Sequence, residues 1–305
     1  MDGEILSKAP CGAKSKDLKS YPHEASHMTL AEKASRLLEL HHAAEPLILV
    51  NAWDVASARI IEQAGFPAIA TTSAGVANAL GYADGQHVPW MDMTAAVRRI
   101  TQAVRVPVTA DIEAGFSDSL KELERTIEQV VEAGAVGINL EDARPHMGPR
   151  GPLYSLSEQI TRIQTVREAS DKLKIHLVIN ARTDAYWEKG PSLEQALRNA
   201  VERGQAYLRA GCDCVFIPGL RLPEHIRTAV ERLQAPVNVL AGAGVPTTKE
   251  LSGWGVKRIS MGSAPMRAAM GLLRRIAREA QQAGTYNALT QDSVPHEEMN
   301  SLLGA

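Results

Sequence analysis

The stretch that decides the fold is residues 107–143, PVTADIEAGFSDSLKELERTIEQVVEAGAVGINLEDA. It begins with an apolar run at 107–113, continues with a helical pattern at 119–133 that a Ser-x-x-Glu capping box opens, and ends with a second apolar run at 136–141. A glycine directly after the helical pattern is typical of the left-handed residue that ends a helix. The order strand, helix, strand predicts a βαβ unit whose two strands run parallel.

The same alternation recurs along the chain. Predicted strands lie at 47–51, 67–72, 107–113, 136–141, 175–182, 213–218, 236–241 and 257–261. Predicted helices lie between and after them, at 54–64, 91–104, 119–133, 156–171, 192–209, 223–233, 247–253 and 264–282. Eight alternations of this kind predict an α/β protein with a (β/α)8 TIM barrel. An open doubly wound sheet is the alternative, although no Gly-x-Gly-x-x-Gly signature follows the first strand.

A single barrel accounts for most of the chain, because a barrel takes about 250 residues and this sequence has 305. We expect a flexible tail at residues 1–28, the barrel at 29–285 and a C-terminal extension at 286–305. A capping box at 29–32 predicts an extra N-terminal helix ahead of the first strand.

Composition disfavours several classes of function. The net charge is −2 and aromatic residues make up 4% of the chain, so both a field that attracts nucleic acid and a set of base-stacking side chains are missing. We find no signal peptide and no run that approaches the roughly 20 apolar residues of a membrane span, which predicts a protein without membrane contact. Three cysteines, Cys11, Cys212 and Cys214, are too few for a disulfide framework and favour a cytoplasmic location.

Charged side chains end three of the predicted strands. Side chains alternate along a strand, so Asp111 and Glu113 share one side of theirs, and Glu141 and Arg182 end the next two strands. Their apolar neighbours face the helices, which directs the charged groups into the mouth of the barrel. Three acids around one axis repel each other, and a divalent cation relieves that repulsion. Carboxylates favour Mg²⁺, with Mn²⁺ as the alternative. A structural alternative is that the acids pair with Arg182 or cap neighbouring helices.

Five motifs together resemble a known family. They are Asn-Ala-Trp-Asp at 51–54, TTSAGVANALGYADG at 71–85, Asp-x-Glu at 111–113, Leu-Glu-Asp at 140–142 and Asn-Ala-Arg-Thr-Asp at 180–184. In this order and spacing they are similar to the isocitrate lyase and phosphoenolpyruvate mutase superfamily, over roughly residues 35–275. The resemblance is to the phosphoenolpyruvate mutase-like subgroup, because the cysteine of the lyase gating loop is missing.

The resemblance implies roles for the residues of a metal site. Mg²⁺ is expected to be held directly by Asp111 and through water by Glu113 and Glu141, while the carboxylate and 2-oxo oxygen of the ligand chelate the ion. Asp84 is expected beside the water shell of the metal. Arg182 is expected to face the developing enolate oxygen.

The resemblance also implies the groups that bind the substrate. Thr72, Ser73 and Ala74 are expected to offer backbone N–H groups and hydroxyls to the ligand carboxylate. Asn180, on the same strand face as Arg182, is expected to bind substrate as well. The alternative for Thr72 and Ser73 is an ordinary β-to-α turn in which the hydroxyls act as caps.

The loop after the fourth strand, EDARPHMGPRGPLY at 141–154, departs from the family because it contains neither Cys nor Lys. Cleavage of isocitrate or 2-methylisocitrate by the usual route, in which that Cys serves as acid or base, is therefore not expected. His146 is predicted to relay a proton near neutral pH, and Arg144 and Arg150 to pair with a distal carboxylate or phosphonate. A solvated basic loop is the alternative.

We therefore expect a Mg²⁺-dependent lyase or hydrolase that cleaves a C–C or C–P bond of a small 2-oxo acid through a metal-stabilised enolate, with an oxaloacetate-like substrate favoured. The alternatives are phosphonopyruvate hydrolase or mutase activity and a non-catalytic 2-oxo acid sensor. The resemblance further implies a homo-oligomer, a dimer or tetramer that exchanges the last helix (264–282) between subunits. A helix that packs on its own barrel is the alternative.

Overall fold

The computed structural model describes residues 28–117, 119–145, 152–188, 190–291 and 293–304. The strands are β1 (Leu47–Leu49), β2 (Asn51–Ala52), β3 (Ile69–Thr71), β4 (Val108–Asp111), β5 (Gly137–Glu141), β6 (Val178–Arg182), β7 (Cys214–Phe216), β8 (Val237–Leu240) and β9 (Arg258–Ser260). The helices are α1 (Leu30–His42), α2 (Val55–Gln63), α3 (Ser73–Ala79), α4 (Trp90–Ala103), α5 (Leu120–Glu132), α6 (Leu156–Lys172), α7 (Leu193–Arg209), α8 (Pro223–Leu233), α9 (Thr248–Gly253), α10 (Ala264–Gln282), α11 (Asn287–Thr290) and α12 (His296–Leu303), with a 3-10 helix η1 (Asp184–Trp187). All strand pairs in this sheet are parallel, and the predicted (β/α)8 barrel is confirmed.

The predicted strands and helices all have counterparts in the structure. The N-terminal helix α1 begins as predicted, with reciprocal hydrogen bonds between Thr29 and Glu32 that form a capping box. Four short elements, α3, η1, α11 and α12, were not predicted. Each has eight residues or fewer, and such a segment shows too few turns for a helical period to be visible in the sequence.

The first predicted strand closes the barrel because it pairs with a strand on each side. The strand predicted at 47–51 is interrupted at Val50, and its two halves have different partners. β1 pairs with β9 and β2 pairs with β3, which completes the ring. The side chain of Asn51 holds this seam together. Its Nδ2 donates to the carbonyl of Thr71 at 2.8 Å, and its Oδ1 accepts from two backbone N–H groups of the turn after β9, at 2.9 and 2.8 Å.

Helix α1 covers the amino-terminal end of the barrel. Its Ala34 and Leu37 are buried in a cluster with residues at the starts of the strands, among them Val136. The helix comes close to the sheet at Gly137, where a Cβ atom would lie 2.7 Å from Leu37 Cδ2 and 2.9 Å from Thr109 Oγ1. Glycine therefore fits at this position of β5 without displacing its neighbours.

A polar layer lies inside the barrel between α1 and the carboxyl ends of the strands, where most barrels place branched apolar residues. Arg258 is fully buried there; its Nη2 donates to Asn139 Oδ1 at 3.1 Å and its Nη1 lies 3.1 Å from His41 Nε2. Asn180 Nδ2 donates to the same Asn139 oxygen at 2.8 Å. This layer forms the floor on which the cavity above it rests.

The C-terminal part of the chain lies on the outside of the barrel. Of the 19 residues of α10 only Met266 is buried, and α12 returns to α2, where Arg59 Nε donates to the carbonyl of Leu302 at 2.8 Å. Exchange of α10 between subunits stays a prediction. Neither α10 nor any other helix in the described part of the chain has the length and apolar content needed to cross a membrane. The domain limits also stay predictions, since residues 1–27 lie outside the described ranges.

The close approach at Gly137 can be tested by adding one methyl group. Gly137→Ala should lower the free energy of unfolding by about 1–3 kcal/mol, as overpacking of a filled core does. Chemical denaturation followed by circular dichroism measures this. Gly253→Ala is the matched control, because a Cβ there meets nothing within 4 Å. Equal stabilities of the two variants would contradict this view of the contact between α1 and the barrel.

Candidate active site

A cavity of about 210 Å³ opens at the carboxyl ends of the strands. It is lined by five acids, two arginines and a set of smaller polar groups. The charged groups are Asp84, Asp111, Glu113, Glu141, Arg182 and Asp184, with Arg144 at the rim. The opposite side, from the ends of β7 and β8, is apolar and consists of Phe216, Pro218 and Leu240, next to Trp187. A cavity of this size suits a ligand of a few heavy atoms with one strongly polar end.

Asp111, the last residue of β4, lies at the centre of the acidic side. Its Oδ2 accepts two hydrogen bonds from Ser73, from the backbone N–H at 3.1 Å and from the hydroxyl at 2.8 Å. Its Oδ1 is buried and has no hydrogen-bond partner in the described part of the chain. A buried carboxylate oxygen without a partner costs free energy, so this oxygen is placed to bind something from the cavity.

Glu113 and Asp84 surround Asp111 with further negative charge. Glu113 is 5% exposed, and burial together with Asp111 and Asp84 raises its pKa to about 8, although Arg182 opposes the shift. Asp84 lies at the mouth of the cavity, where partial loss of hydration and the charge of Asp111 raise its pKa too. The backbone of Glu113 is in the left-handed region, with φ +50°. Such a conformation is unfavourable for a residue with a side chain and often occurs at functional sites.

Arg182, at the end of β6, supplies the positive charge that faces these acids. Its Nη1 lies 2.7 Å from Glu141 Oε2, and its Nε and Nη2 donate to the two oxygens of Asp184 at 2.6 and 2.8 Å. The rings of Trp187 and Phe216 lie beside the guanidinium, 5.5 and 5.8 Å from its carbon. Five contacts in fixed geometry hold this side chain, so its charge is presented to the cavity in one orientation.

Asp142 supports Arg182 from behind. It is fully buried, and its carboxylate accepts from the backbone N–H of Asp184 at 2.9 Å, from the hydroxyl of Tyr207 at 2.7 Å and from Arg203 Nη1 at 3.2 Å. It therefore fixes the turn that carries the main partner of Arg182. No role was predicted for it, because its partners lie 42 to 65 residues away in sequence.

The structure brings most of the predicted site residues together. Thr72, Ser73 and Ala74 line the cavity with the acids and Arg182. In part they also fit the alternative of a capped turn, since Thr72 Oγ1 accepts from the N–H of Gly75 at 3.3 Å at the start of α3. Glu141 likewise forms the ion pair with Arg182 that the structural alternative anticipated.

Two predictions differ from what the structure shows or covers. Asn180 is fully buried in the polar layer and is not among the residues that line the cavity, because it lies one layer below Arg182. His146 and Arg150 lie outside the described residues. Arg144 reaches the rim, but both oxygens of Glu158 accept from its Nη2 at 2.9 Å, and its guanidinium lies 4.5 Å from the centroid of the Tyr154 ring.

The residues present fit a hard divalent cation held mainly through one carboxylate. In the described ranges no three Asp, Glu, His or Cys side chains are arranged to grip one ion together. Asp111 Oδ1 is a buried oxygen without a hydrogen-bond partner in the described ranges and can bind a cation directly, and the other acids line the same cavity at its sides. An all-oxygen set of this kind suits Mg²⁺, which keeps several waters and takes one or two carboxylates.

The fold and the cavity define the class of protein: a (β/α)8-barrel enzyme with an acid-lined cavity, its candidate active site, at the carboxyl ends of its strands. Residues 37–281 match the family model described as phosphoenolpyruvate phosphomutase. The chain belongs to this family, within the isocitrate lyase and phosphoenolpyruvate mutase superfamily, and the expectation of an enzyme of this superfamily is confirmed.

Three relatives show how far the likeness extends. The chain is 30% identical over 256 residues to 2-methylisocitrate lyase of Escherichia coli (strain K12), covering 81% of both chains. The crystal structure of a candidate phosphonomutase from Burkholderia cenocepacia J2315 is 38% identical, with a TM-score of 0.78, and covers 83% of this chain and 100% of its own. That of 2,3-dimethylmalate lyase is 25% identical, with a TM-score of 0.78, over 89% of this chain and 94% of its own. Lyases and mutases thus share this fold.

The raised pKa of Glu113 predicts a pH-dependent stability in the absence of a cation. Its folded pKa of about 8 lies above the ordinary 4.5, so its contribution to stability is complete below pH 4.5 and is lost as the pH rises toward 8. Glu113→Gln mimics the protonated form. In EDTA at pH 8 it should melt several degrees above the wild type, and this difference should shrink at pH 5.

Differential scanning fluorimetry at both pH values checks this. Glu231→Gln, at an exposed position of α8, is the control and should shift the melting temperature equally at the two values. A Glu113→Gln difference that does not change with pH would show that the carboxyl is not held in its protonated form.

Proposed function

We propose that this enzyme is a Mg²⁺-dependent lyase or hydrolase that acts on a small 2-oxo acid, or on its 2-hydroxy precursor, with an oxaloacetate-like acid as the favoured substrate. The observation that carries the proposal is the pairing of two features in one small cavity. Asp111 offers a buried carboxylate oxygen without a partner, and Arg182 faces the same space with a fixed positive charge. An acid with an adjacent carbonyl has the two oxygens that such a site can bind.

The acids of the site hold the cation in this proposal. Asp111 binds it directly, and Glu113 and Glu141 bind its water shell, with Asp84 beside them at the mouth. Mn²⁺ is the second choice for the same all-oxygen donor set. A bound divalent cation supplies positive charge next to the carboxylate and the 2-oxo oxygen of the substrate. It also relieves the mutual repulsion that raises the pKa of Glu113.

The turn after β3 binds the carboxylate of the substrate. Ser73 and Ala74 open α3, a short helix whose first N–H groups have no partner within the helix. The hydroxyl and N–H of Ser73 contact Asp111, so they couple the position of the carboxylate to that of the metal-binding acid. Thr72 keeps the turn in shape through its cap on Gly75.

Arg182 stabilises the charge that develops during bond cleavage. Breaking the bond between the α and β carbons of a carbonyl compound leaves its electron pair on the α carbon, and the charge is delocalised onto the enolate oxygen; a guanidinium that is already oriented stabilises this charge without reorganisation. Glu141 and Asp184 hold Arg182 through three short contacts. The role of His146 in transferring the proton stays a prediction, because this residue lies outside the described ranges.

The proposal predicts that removing the charge of Asp111 abolishes cation binding. Asp111→Asn keeps the shape and an oxygen for Ser73, but it should weaken Mn²⁺ binding more than about 100-fold, beyond the 10–100-fold typical of outer-shell changes. Isothermal titration calorimetry with Mn²⁺ measures this, and turnover of oxaloacetate with Mg²⁺ should fall in parallel. Asp92→Asn, at an exposed position of α4, is the matched control and should change neither.

Two outcomes would overturn the proposal. One is a Mn²⁺ affinity of Asp111→Asn equal to that of the wild type. The other is oxaloacetate turnover by the wild type no faster than with the metal alone. Binding of oxaloacetate and pyruvate without turnover of either would instead indicate the non-catalytic sensor.

A second candidate, phosphonopyruvate hydrolase or mutase activity, is favoured by the family model, which carries the name of a phosphomutase, and by the guanidinium of Arg144 at the rim. Phosphate release from phosphonopyruvate, or its conversion to phosphoenolpyruvate, distinguishes this activity from C–C cleavage.

We further propose that α10 packs against a second copy of the chain in a homo-oligomer. Met270 and Leu273 lie on this helix and are 48% and 56% exposed, and covering apolar side chains of this size is favourable by about 1.5–3 kcal/mol each. Next to them, Trp53, Met266 and Arg274 line a surface cavity between α3 and α10. A neighbouring subunit that contributes its own α10 accounts for both features.

A charge placed on this helix should therefore dissociate the oligomer. Leu273→Glu should shift the mass in sedimentation equilibrium from a dimer or tetramer to a monomer, because a carboxylate is costly to bury in an apolar interface. Leu193→Glu, at the equally exposed first residue of α7, should leave the mass unchanged. A wild-type chain that is already monomeric would exclude the oligomer.

A further inference from the structure

Asn139 lies at the floor of the cavity and belongs to the polar layer at the same time. It is on β5, pairs in register with Asp111 on β4 and with Asn180 on β6, and is 7% exposed. Asn180 and Arg258, its hydrogen-bond partners, are fully buried, and neither lines the cavity. Asn139 is thus the member of this trio that the cavity reaches.

The amide of Asn139 has only one possible orientation. Arg258 Nη2 and Asn180 Nδ2 both approach the same atom, at 3.1 and 2.8 Å. A guanidinium carries donors and no acceptor, so the atom that faces Arg258 must be the amide oxygen. The amide N–H₂ group is then directed away from the layer.

Arg258 is itself held in place. The ring of His41 lies beneath it, with Nδ1 2.8 Å from the carbonyl of Leu37 and Nε2 3.1 Å from Arg258 Nη1. Because Nδ1 donates to the carbonyl, Nε2 carries the lone pair that accepts from the guanidinium. Arg258 forms no ion pair with a carboxylate in the described ranges, and the acceptors of its hydrogen bonds there, His41 Nε2 and Asn139 Oδ1, are neutral.

We propose that Asn139 contacts the substrate, donating a hydrogen bond from its amide N–H₂ to an oxygen of the bound acid, and that Arg258 is the positioning residue that fixes this donor. The proposal rests on the proposed function and adds a neutral donor to its site. Within the described residues Asn139 Nδ2 donates no hydrogen bond, whereas Asn139 Oδ1 accepts one from Asn180 and one from Arg258. Asn139 stands between Asp111 on β4 and the strand of Arg182, at the cavity to which the proposed function assigns the acid.

Two small acids with adjacent oxygens, pyruvate and oxalate, serve as probes for binding to the full-length protein with Mg²⁺, by calorimetry. Asn139→Asp keeps an oxygen toward Arg258 and Asn180 but replaces the donor by a second oxygen. It should weaken binding of both probes about 10- to 100-fold, the effect of losing a hydrogen bond to a charged group. Asn139→Ala, which removes the donor without adding charge, should weaken it about 10-fold.

Asn238→Asp is the matched control for the added charge. Asn238 is fully buried and pairs in register with Arg258, yet it does not line the cavity. This variant should bind the probes within about threefold of the wild type. Equal losses for Asn139→Asp and Asn238→Asp would overturn the proposal, because a general effect of buried negative charge would then explain both.

The role of Arg258 is tested by a pair of variants of similar length. Lysine also carries only donors, so Arg258→Lys should keep Asn139 oriented and retain probe affinity within about threefold. Arg258→Met offers no donor, and the affinity should fall about fivefold. Thermal unfolding of both variants separates this effect from loss of stability. Equal affinity of the two variants at comparable stability would remove Arg258 from the proposal.

The outcome for the wild type separates this inference from the function on which it rests. A wild type that binds the probes while Asn139→Asp and Asn139→Ala bind them equally well would overturn the role of Asn139 and leave the proposed function intact. A wild type that binds neither probe would overturn the proposed function, and this inference with it.

Discussion

The site depends on the balance between several carboxylates and one guanidinium in a small, partly dehydrated cavity. Asp84, Asp111, Glu113 and Glu141 all line it, and Arg182 faces them with a charge that two ion pairs hold in place. The raised pKa of Glu113 is the direct result, since burial and its acidic neighbours disfavour its charged form. The repulsion between the acids destabilises the protein without a bound cation, and a cation in the cavity would relieve it. Binding sites often concentrate such costs, because the ligand relieves them.

The rest of the barrel keeps these charges in place. Register between β5 and β6 puts Glu141 beside Arg182, and the buried Asp142 ties the turn of Asp184 to α7 through Tyr207. Below them, the polar layer around Arg258 joins the strands from inside. Each of these contacts joins residues on two different elements of the barrel. The geometry of the cavity therefore depends on the closure of the barrel and not on a single loop.

Much of the fold and part of the site could be predicted from the sequence. Eight apolar runs with helix caps between them were sufficient for the barrel, and alternation along parallel strands was sufficient to bring Asp111, Glu141 and Arg182 to one end. Glu113 lines the same cavity, but it lies beyond the end of β4 with a left-handed backbone, so alternation does not explain its place. Alternation gives the face of a strand but not the depth along the barrel axis, which is why Asn180 was expected to contact the ligand and lies in the layer below. Asp142 faces the helices, and its partner Tyr207 lies on α7; such long-range pairs leave no local pattern. Helix α3 was missed because SAGVANA is too short and too rich in small residues to show a period.

Helix α1 at the amino end of the barrel affects how ligands reach the cavity. Leu37 packs against Gly137 and His41 lies beneath Arg258, so α1 covers the barrel interior on that side. The cavity that contains the acids opens at the opposite end of the barrel, at the carboxyl ends of the strands. In the proposed cleavage, the substrate and both products would therefore pass through this one opening, so the products would have to leave before the next substrate binds.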